Sequence, residues 1–465
     1  MPFRNLVIDI FMDEQLTGLL NKYDVPIPRY TSYPTVPYWE YENFTTDVWK
    51  RALLDTYKNE NGEISIYIHL PFCENLCTFC ACTKRITVNH NVETPYIESL
   101  LKEWSLYKNL FPGKPIIREI HLGGGTPTFF SPEHLVELIN GIVKDCTIPS
   151  DHEFSVEVHP NFTKKEHLVA LASVGFNRIS MGVQDFDPVV QYAINRNQSF
   201  EVTKAVADWA RECGFKGVNV DLVYGLPKQT VSSVENTIRL IHKLSPDRIA
   251  FYSYAHVPWK SKVQRRYTDD DLPKASQKWD MYHKGRELLT ANGFEAIGMD
   301  HFALPDDKLL KAAAAGNMHR NFMGYTTTQN KLIIGLGASS ISDAWGAFAQ
   351  NEKEIEAYQE RVNKGEFPLV NGHKLNEVDL ILRKNILELM CTGTTRLDEN
   401  KLDKYFVEMA FNKLKLLEAD GLVSIQGDKI SVTEKGSIFI RNISATLDAR
   451  MALQHMGKNV FSKAI

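Results

Sequence analysis

Strand-like and helix-like segments alternate along the chain from residue 64 to residue 256. Apolar runs rich in branched side chains predict strands at 64–70, 116–122, 153–159, 178–183, 217–223 and 248–254. Apolar residues at helical spacing predict helices at 96–110, 132–146, 163–174, 200–213 and 230–244. Ser131 is the expected N-cap of the second helix, with Pro132 at its first position. Six successive βα units indicate a parallel sheet, either open and doubly wound or rolled into a full or partial barrel.

Polar and apolar side chains alternate within four of these strands. The polar positions are Ser65, Tyr67 and His69 in the first strand, Ser155, Glu157 and His159 in the third, Ser180, Gly182 and Gln184 in the fourth, and Asn219 and Asp221 in the fifth. A parallel strand covered by helices on both faces should be apolar on both. One polar face therefore favours a barrel, whose lumen holds a cofactor-sized ligand and opens at the C-terminal ends of the strands.

The pattern changes near residue 375. Helical periodicity at 377–390 and 402–418 leads into two short strand-like runs around Gly427, which resembles a winged helix. The last 65 residues carry no basic stripe, so a packing or lid domain is favoured over a DNA-binding domain.

Composition narrows the class of protein. The chain has 465 residues, 43% hydrophobic and 24% charged, with a formal net charge of −4. These values indicate a globular chain without the basic field of a nucleic-acid binder. No apolar run is long enough to span a membrane, and the short stretch 6–11 carries Asp9 and lacks a cleavage site. We therefore expect a cytoplasmic protein, and a monomer because no segment has the pattern of an exposed interface helix.

Four of the seven cysteines lie within ten residues, at positions 73, 77, 80 and 82. An odd total argues against a secreted disulfide framework, and such close spacing favours metal or redox chemistry. Three thiolates from Cys73, Cys77 and Cys80 can bind three corners of an iron–sulfur cubane and leave one iron open. With Cys82 as a fourth ligand, the alternative is a closed zinc site. The isolated cysteines, Cys146, Cys213 and Cys391, are expected to be small buried hydrophobes.

The spacing Cys73-x3-Cys77-x2-Cys80, with Phe79 before the last cysteine, resembles the radical S-adenosylmethionine signature. Its surroundings match as well: residues 67–73 read YIHLPFC, and 121–128 read HLGGGTPT. Further segments are similar to the oxygen-independent coproporphyrinogen III oxidase family, including PRYTSYPT at 28–35, GVQDF at 182–186, DLVYGLP at 221–227 and HRNF at 319–322. This resemblance covers nearly the whole chain, including the final residues 461–465.

The resemblance implies an α/β fold, a partial (β/α)6 TIM-like barrel of the radical S-adenosylmethionine type. We expect an N-terminal covering segment at 1–50, the barrel at 51–305, a closing connection at 306–374 and a mostly helical, winged-helix-like domain at 375–465. The implied cofactors are a [4Fe-4S] cluster and one or two molecules of S-adenosylmethionine. The implied reaction is oxidative decarboxylation of two propionates of coproporphyrinogen III to vinyl groups, giving protoporphyrinogen IX in haem biosynthesis. The electron donor would be a low-potential carrier such as flavodoxin or ferredoxin.

Site residues carry over position by position. The resemblance assigns the cluster ligands to Cys73, Cys77 and Cys80. Cofactor-binding positions are Tyr67, Phe79, Gly124, Gly125, Thr126, Glu157, Gln184, Arg196, Asp221, Ala255 and Ile341. Catalytic candidates are Cys82, Tyr67, His69, Glu157 and Asp221. A substrate with four carboxylates requires local cations, so Arg29 and Arg320 are candidates with His301, and Arg85 is a further one. For His69 and His301 the alternative is a hydrogen-bonded core histidine, and for the arginines a surface ion pair.

Three positions depart from the family pattern: Ala81 replaces a glycine, His159 an acidic residue and Met323 a glutamine. Two of these, His159 and Met323, bear on substrate choice. One alternative function is a related radical enzyme that modifies haem, and the other is a haem-trafficking protein of the same fold. Cys82 and the segment 28–35 favour the oxidase over the trafficking protein.

Overall fold

The computed structural model describes residues 14–453 and 460–464. The apolar stretch 6–11 and the terminal Ile465 lie outside these residues. One twelve-stranded sheet runs through the molecule, and its strands are labelled in chain order. They are β1 Glu63–Leu70, β2 Ile116–Gly124, β3 Glu153–Val158, β4 Arg178–Gln184, β5 Gly217–Tyr224, β6 Arg248–Ser253, β7 Glu295–Ile297, β8 His301–Ala303, β9 Leu332–Leu336, β10 Ile341–Ala344, β11 Ala347–Asn351 and β12 Leu369–Lys374.

The order of the strands distinguishes a barrel from a doubly wound sheet. Strands β1 to β6 are neighbours in sequence order, and each pair is parallel. A doubly wound sheet would reverse direction at a switch point, whereas this order winds continuously one way. The prediction of a partial barrel of six βα units is confirmed. Strand β9 adds a parallel neighbour to β1, while antiparallel β8 borders β6, so the sheet is extended at both sides.

Helices cover the outer face of the barrel. The structure contains helices at Glu14–Tyr23, Thr46–Asn59, Glu93–Lys108, Pro132–Val143, Lys165–Ser173, Pro188–Ala193, Phe200–Glu212, Val231–Leu244, Ala275–Ala291, Lys308–Ala314, Ile355–Asn363, Glu377–Thr392, Lys404–Ala419, Ile440–Ala445 and Ala449–Leu453. The predicted cap is present, because the side chain of Ser131 accepts a hydrogen bond from the His134 amide. No helix of the described residues is long and apolar enough to cross a membrane.

The apolar face of each barrel strand packs against these helices. In β1 the side chains of Ile64, Ile66, Ile68 and Leu70 are fully buried, and they belong to one hydrophobic core that extends around the barrel. This burial provides the main driving force for the fold. The polar face of each barrel strand is turned towards the lumen.

The two ends of the chain share a second apolar core. Leu16, Leu19, Ile27, Tyr30 and Tyr33 pack with the helices Glu377–Thr392 and Lys404–Ala419. A small antiparallel sheet of Thr394–Arg396, Val423–Gln426 and Lys429–Val432 completes this unit, as the hairpin pattern predicted. The division into four sequence segments stays a prediction, but its first and last members are packed together.

Arg441 joins the chain ends through backbone carbonyls. Its guanidinium donates to Pro28 O at 3.1 Å and to the carbonyls of Lys463 and Ala464 at 3.0 Å each, and the side chain is buried. Because a lysine ammonium cannot reproduce this planar fork, Arg441→Lys is expected to lower the free energy of unfolding by about 2 to 3 kcal/mol. Urea unfolding followed by circular dichroism measures the change.

The control for this prediction is Arg396→Lys. Arg396 is exposed and forms an ion pair with Asp428 at 2.6 Å, so its replacement should change stability little. Equal unfolding midpoints for the two variants would show that Arg441 does not tie the chain ends together.

Candidate active site

The cysteine loop begins directly at the end of β1. Cys73 ends the short strand Phe72–Cys73, and its carbonyl accepts a hydrogen bond from the Thr87 amide at 2.9 Å. Cys73 is buried, Cys77 and Cys80 are half-buried, and Cys82 is exposed; all four are free thiols. The loop therefore lies at the C-terminal edge of the sheet, where the lumen was predicted to open.

Two neighbouring segments hold the backbone of this loop. After β4, Ile194 O accepts from the Thr78 amide at 2.9 Å, and Asn195 Nδ2 donates to Leu76 O at 2.7 Å. After β6, Ser261 Oγ donates to Cys80 O at 2.8 Å and Gln264 Nε2 to Phe79 O at 2.8 Å. The loop conformation is therefore set by elements far away in sequence.

Each of the three signature sulfurs has a separate donor. Thr126 Oγ1 lies 3.4 Å from Cys73 Sγ, and Arg196 Nη1 lies 3.4 Å from Cys77 Sγ. The Cys82 amide donates to Cys80 Sγ at 3.4 Å. Burial raises the pKa of the Cys73 thiol to about 11, while hydrogen bonding from Cys82 lowers the pKa of Cys80 to about 6. Hydrogen bonds and positive charge of this kind stabilise thiolates, the form that binds iron.

The arrangement of the thiols fits a cubane cluster. A closed tetrahedral zinc site would need Cys82 as a fourth ligand around the same point as the three signature thiols. A [4Fe-4S] cluster instead takes each thiolate on a different iron. The buried Nε of Arg196 has no hydrogen-bond partner beside Cys77. Three separated thiols beside an unsatisfied donor are suited to a larger, negatively charged group.

A glycine turn after β2 forms the floor beneath the loop. The Gly125 amide donates to Leu70 O at 2.8 Å and the Thr126 amide to Phe72 O at 2.9 Å, so the turn lies directly against the loop. Gly124 has a φ of +111°, and a Cβ placed on it would lie 2.7 Å from the His69 ring. A side chain at this position would fill the space between the turn and β1.

The lumen next to this turn holds an aromatic and carboxylate cluster. The rings of Tyr67 and His121 stack with centroids 5.9 Å apart. His121 Nε2 lies 3.1 Å from Glu157 Oε1, and the Gly124 amide donates to Glu157 Oε2 at 3.4 Å. Asp221 accepts from Ser180 Oγ at 3.2 Å. The structure thus brings together Tyr67, Glu157 and Asp221, which the strand alternation had selected.

The two carboxylates differ in their electrostatic environment. Burial raises the pKa of Asp221 to about 7, and the negative charge of Glu157 raises it further. Burial also opposes ionisation of Glu157, but the hydrogen bond from His121 and its charge bring the pKa of Glu157 below its usual value. At neutral pH, Glu157 is therefore the anion available to a cationic ligand, and Asp221 exchanges its proton in this range.

The comparisons with known proteins agree with this geometry. Residues 67–241 match the model of the radical SAM superfamily. The chain is 39% identical to the oxygen-independent coproporphyrinogen III oxidase of Synechocystis, over 96% of this chain and 97% of that protein. It is 38% identical to the Escherichia coli enzyme of the same name, over 96% of this chain and 98% of that protein. The chain belongs to the oxygen-independent coproporphyrinogen III oxidase family.

The solved structure of the family member from Escherichia coli has the same fold. It superposes with a TM-score of 0.85 and 38% identity, covering 90% of this chain and 97% of that one, and it is described as a radical SAM enzyme. The cofactors of this family are a [4Fe-4S] cluster and S-adenosylmethionine, which the thiols, the glycine turn and Glu157 are suited to hold.

The remaining cofactor positions predicted from the family lie around the same edge. Arg196 Nη2 donates to Gly182 O at 2.5 Å, and Gln184 has a φ of +68° where β4 bulges. Ala255 O accepts from Gln264, which also holds Phe79. Ile341 begins β10, packed closely against Gly335, the residue that pairs with Tyr67. These contacts place all four positions beside the cluster loop or the lumen strands.

The substrate candidates form one connected group. Arg29 Nη2 donates to Ser253 O at 2.9 Å, and its Nη1 lies 3.6 Å from Asp300 Oδ2. His301 Nδ1 lies 2.6 Å from Asp300 Oδ1, and the Arg320 guanidinium lies 4.4 Å from the ring of Tyr325. Burial raises the pKa of Asp300, but His301, Arg320 and Arg29 together lower it to about 2. A stable carboxylate thus contacts both Arg29 and His301, and Arg320 lies 3.5 Å from Arg29 O through its Nη2.

Three other candidates occupy different surroundings. Arg85 forms an exposed ion pair with Glu356 at 2.8 Å, which is the surface alternative considered for it. His69 is buried, with Nδ1 3.0 Å from Tyr67 Oη and Nε2 2.9 Å from Thr83 O, so its ring is held as a core histidine beside the glycine turn. Cys82 is exposed, and its amide donates to Cys80 Sγ at 3.4 Å.

The departures from the family pattern also have defined positions. Met323 lines the lumen cavity, whose volume is about 130 Å³. His159 is buried, and burial together with the charge of Arg196 lowers its pKa to about 2, which keeps the ring neutral. Where the family pattern has an acidic residue, this chain has a neutral imidazole, so a negative charge near Arg196 is lost.

Sequence reasoning missed several lumen residues. His121 and Glu119 face the lumen because β2 bulges opposite Ile64 and Ser65, which shifts the phase of its alternation. The floor of the cavity carries an additional ionic group of Arg178, Arg248 and Glu153, with Asp307 behind it. Arg178, Arg248 and Glu153 are the first residues of their strands. Charged residues recurring at this position were a signal that could have identified them as lumen residues.

Proposed function

We propose that this chain catalyses the oxygen-independent oxidative decarboxylation of two propionates of coproporphyrinogen III to vinyl groups, giving protoporphyrinogen IX in haem biosynthesis. The observation that supports this most strongly is the placement of the cysteine loop, the glycine turn and the lumen carboxylates at one edge of the barrel. Its relatives of the same family are named for this reaction. We also propose a monomer in the cytoplasm and a low-potential electron carrier such as flavodoxin or ferredoxin as donor.

In this proposal Cys73, Cys77 and Cys80 bind the cluster. When bound there, the cluster and S-adenosylmethionine would supply the radical chemistry that the decarboxylation of a propionate requires. The Gly124 turn allows close backbone approach to the cofactor, and the Glu157 carboxylate, oriented by His121, binds its cationic end. Tyr67 packs over His121, the residue that orients this carboxylate.

The substrate is proposed to bind at the group of Arg29, Arg320 and His301. Arg29 retains a partly exposed guanidinium, which suits bidentate binding of a propionate carboxylate. Asp300 holds Arg29 and His301 in place. The aromatic rings of Tyr252 and Tyr325, which pack edge-on against His301, exclude water from this side of the lumen.

The direct test is an anaerobic assay of the full chain. After cluster reconstitution, the protein is given dithionite, S-adenosylmethionine and coproporphyrinogen III, and both 5'-deoxyadenosine and the tetrapyrrole are followed by mass. Loss of two carboxyl groups per tetrapyrrole is the expected result. Formation of 5'-deoxyadenosine with an unchanged tetrapyrrole would contradict this substrate and direct the test to haem. If neither product forms with a loaded cluster, haem trafficking becomes the better account.

Gly124→Ala tests the role of the glycine turn. A side chain at a φ of +111°, 2.7 Å from the His69 ring, requires the turn to move. A strain of this kind costs about 1 to 3 kcal/mol, so we expect S-adenosylmethionine to bind the reconstituted protein about tenfold or more weakly. Equilibrium dialysis with labelled cofactor measures the affinity.

Gly113→Ala is the matched control, because an added Cβ there meets nothing within 4 Å and its φ is not positive. Wild-type affinity in both variants would mean that the turn does not approach the cofactor.

A further inference from the structure

Four cations lie on the segment that covers the cluster loop. Lys260, Lys262, Arg265 and Arg266 follow β6, three of them on the short 3₁₀ helix Lys262–Arg266, and all four are exposed. We call these four residues the basic patch. The same segment holds the loop through Ser261, which donates to Cys80 O at 2.8 Å, and Gln264, which donates to Phe79 O at 2.8 Å. The patch is therefore fixed directly over two residues of the cluster loop.

None of the four cations has a carboxylate partner among residues 14–453 and 460–464. Arg265 donates only to Pro258 O at 3.2 Å, and the Arg266 guanidinium lies 5.5 Å from the ring of Tyr192. Some other exposed cations around the barrel, such as Lys165 and Lys228, are ion-paired. A run of unpaired cations leaves a positive local field on a chain whose net charge is −4.

Acidic groups do border the patch, and one of them, Asp271, is paired with another cation. Asp271 pairs with Lys228 at 2.6 Å, and Asp269 lies 3.8 Å from His256 Nε2. Asp270 stands between them on the outer side of the segment, and Glu74 lies on the cluster loop. The local balance therefore remains positive beside the loop.

Exposed apolar side chains surround the cations. Val189 and Tyr192, on the helix Pro188–Ala193, are 62% and 70% exposed, and Trp259 is 42% exposed. The end of that helix also holds the loop, because Thr78 Oγ1 donates to Ala193 O at 3.1 Å. Aromatic residues and arginine are enriched in protein interfaces, and transient redox encounters use small surfaces of this kind.

We propose that the basic patch, with Val189, Tyr192 and Trp259, is the docking surface for a small acidic one-electron carrier protein. This proposal rests on the proposed function, which consumes an electron that the chain must receive from outside. The carrier is oxidised by one electron and the cluster is reduced by one, with no bond made or broken. Charge complementarity orients the carrier at the loop where Cys80 and Cys82 are accessible.

The test variant reverses two charges of the patch, Lys260→Glu with Lys262→Glu. Neither side chain makes a contact that the fold depends on, so the variant should fold normally. The control is Lys413→Glu with Lys415→Glu, which makes the same change at two exposed positions of the C-terminal helix Lys404–Ala419. The probes are purified flavodoxin and, separately, purified ferredoxin, each titrated calorimetrically into the full-length protein.

At low ionic strength we expect the Kd of the bound carrier to rise about tenfold or more in the patch variant and to stay unchanged in the control. The difference should largely disappear at about 0.5 M salt, where surface charges are screened. Turnover driven by dithionite should equal that of the wild type, while turnover driven by the reduced carrier falls with the affinity.

An unchanged Kd in the patch variant, or no binding of either carrier to the wild type, would overturn the docking surface. Failure of the wild type to turn over with dithionite would instead contradict the proposed function. The calorimetric comparison of the variants decides the docking surface in that case as well, since it does not depend on turnover.

Discussion

Cys77→Ala is expected to abolish both cluster retention and all detectable turnover. In the proposed assignment Cys77 supplies one of three thiolates, and without it a second iron would have no protein ligand. The loop itself should keep its conformation, because Ile194, Asn195, Ser261 and Gln264 hold its backbone. We therefore expect a folded protein that lacks the iron–sulfur absorbance. Iron and sulfide analysis after anaerobic reconstitution, together with the decarboxylation assay, measures the effect.

Cys213→Ala is the matched control for this variant. Cys213 lies at the C-cap of the helix Phe200–Glu212 and is half-buried among apolar side chains. Its replacement should leave iron content and turnover at wild-type values. Wild-type iron content and product formation in Cys77→Ala would show that Cys77 is not a cluster ligand.

Asp307→Asn is expected to cause the largest loss of stability among the lumen substitutions. The Asp307 side chain is 1% exposed, 2.7 Å from Arg248 Nη2 and 3.3 Å from Arg178 Nη2, so it is paired with two buried guanidinium groups beneath the lumen, the second of which also pairs with Glu153. Removing one partner leaves buried charge uncompensated, which costs about 3 to 5 kcal/mol. Equilibrium unfolding in urea at neutral pH measures the difference. The adjacent, fully exposed Asp306 offers the control Asp306→Asn, which should change the free energy of unfolding by less than about 0.5 kcal/mol.

The effect of Asp307→Asn should depend on pH. Burial raises the pKa of Asp307, but the charges of Arg248 and Arg178 bring it below its usual value. The pKa of Asp307 in the folded state thus lies below its pKa in the unfolded state, which is about 3.9. The stabilisation by Asp307 is fully present above the unfolded-state pKa. As pH falls through the folded pKa, the stabilisation is lost. If the difference in free energy of unfolding between wild type and Asp307→Asn stayed constant below about pH 4, this ionic role would be contradicted.

The sequence by itself determined the barrel and gave the three proposed cluster ligands. Strand periodicity identified the six parallel strands to within two residues at each end, because one face of each strand must be apolar against helices. The same alternation selected Tyr67, Glu157 and Asp221 for the lumen. The cysteine spacing was equally local, since three thiols on one short loop stay together however the rest of the chain folds.

Contacts between distant segments were decided only by the tertiary structure. His121 was missed because a bulge in β2 shifts the phase of its alternation, and a bulge depends on the pairing with β1. Arg178, Arg248 and Asp307 meet from three separate strand ends and loops, and Arg29 reaches Asp300 across some 270 residues. The chain ends share a core that no local pattern indicates. Periodicity shows which face of an element is buried, whereas the partner of a charge is set by how those elements pack.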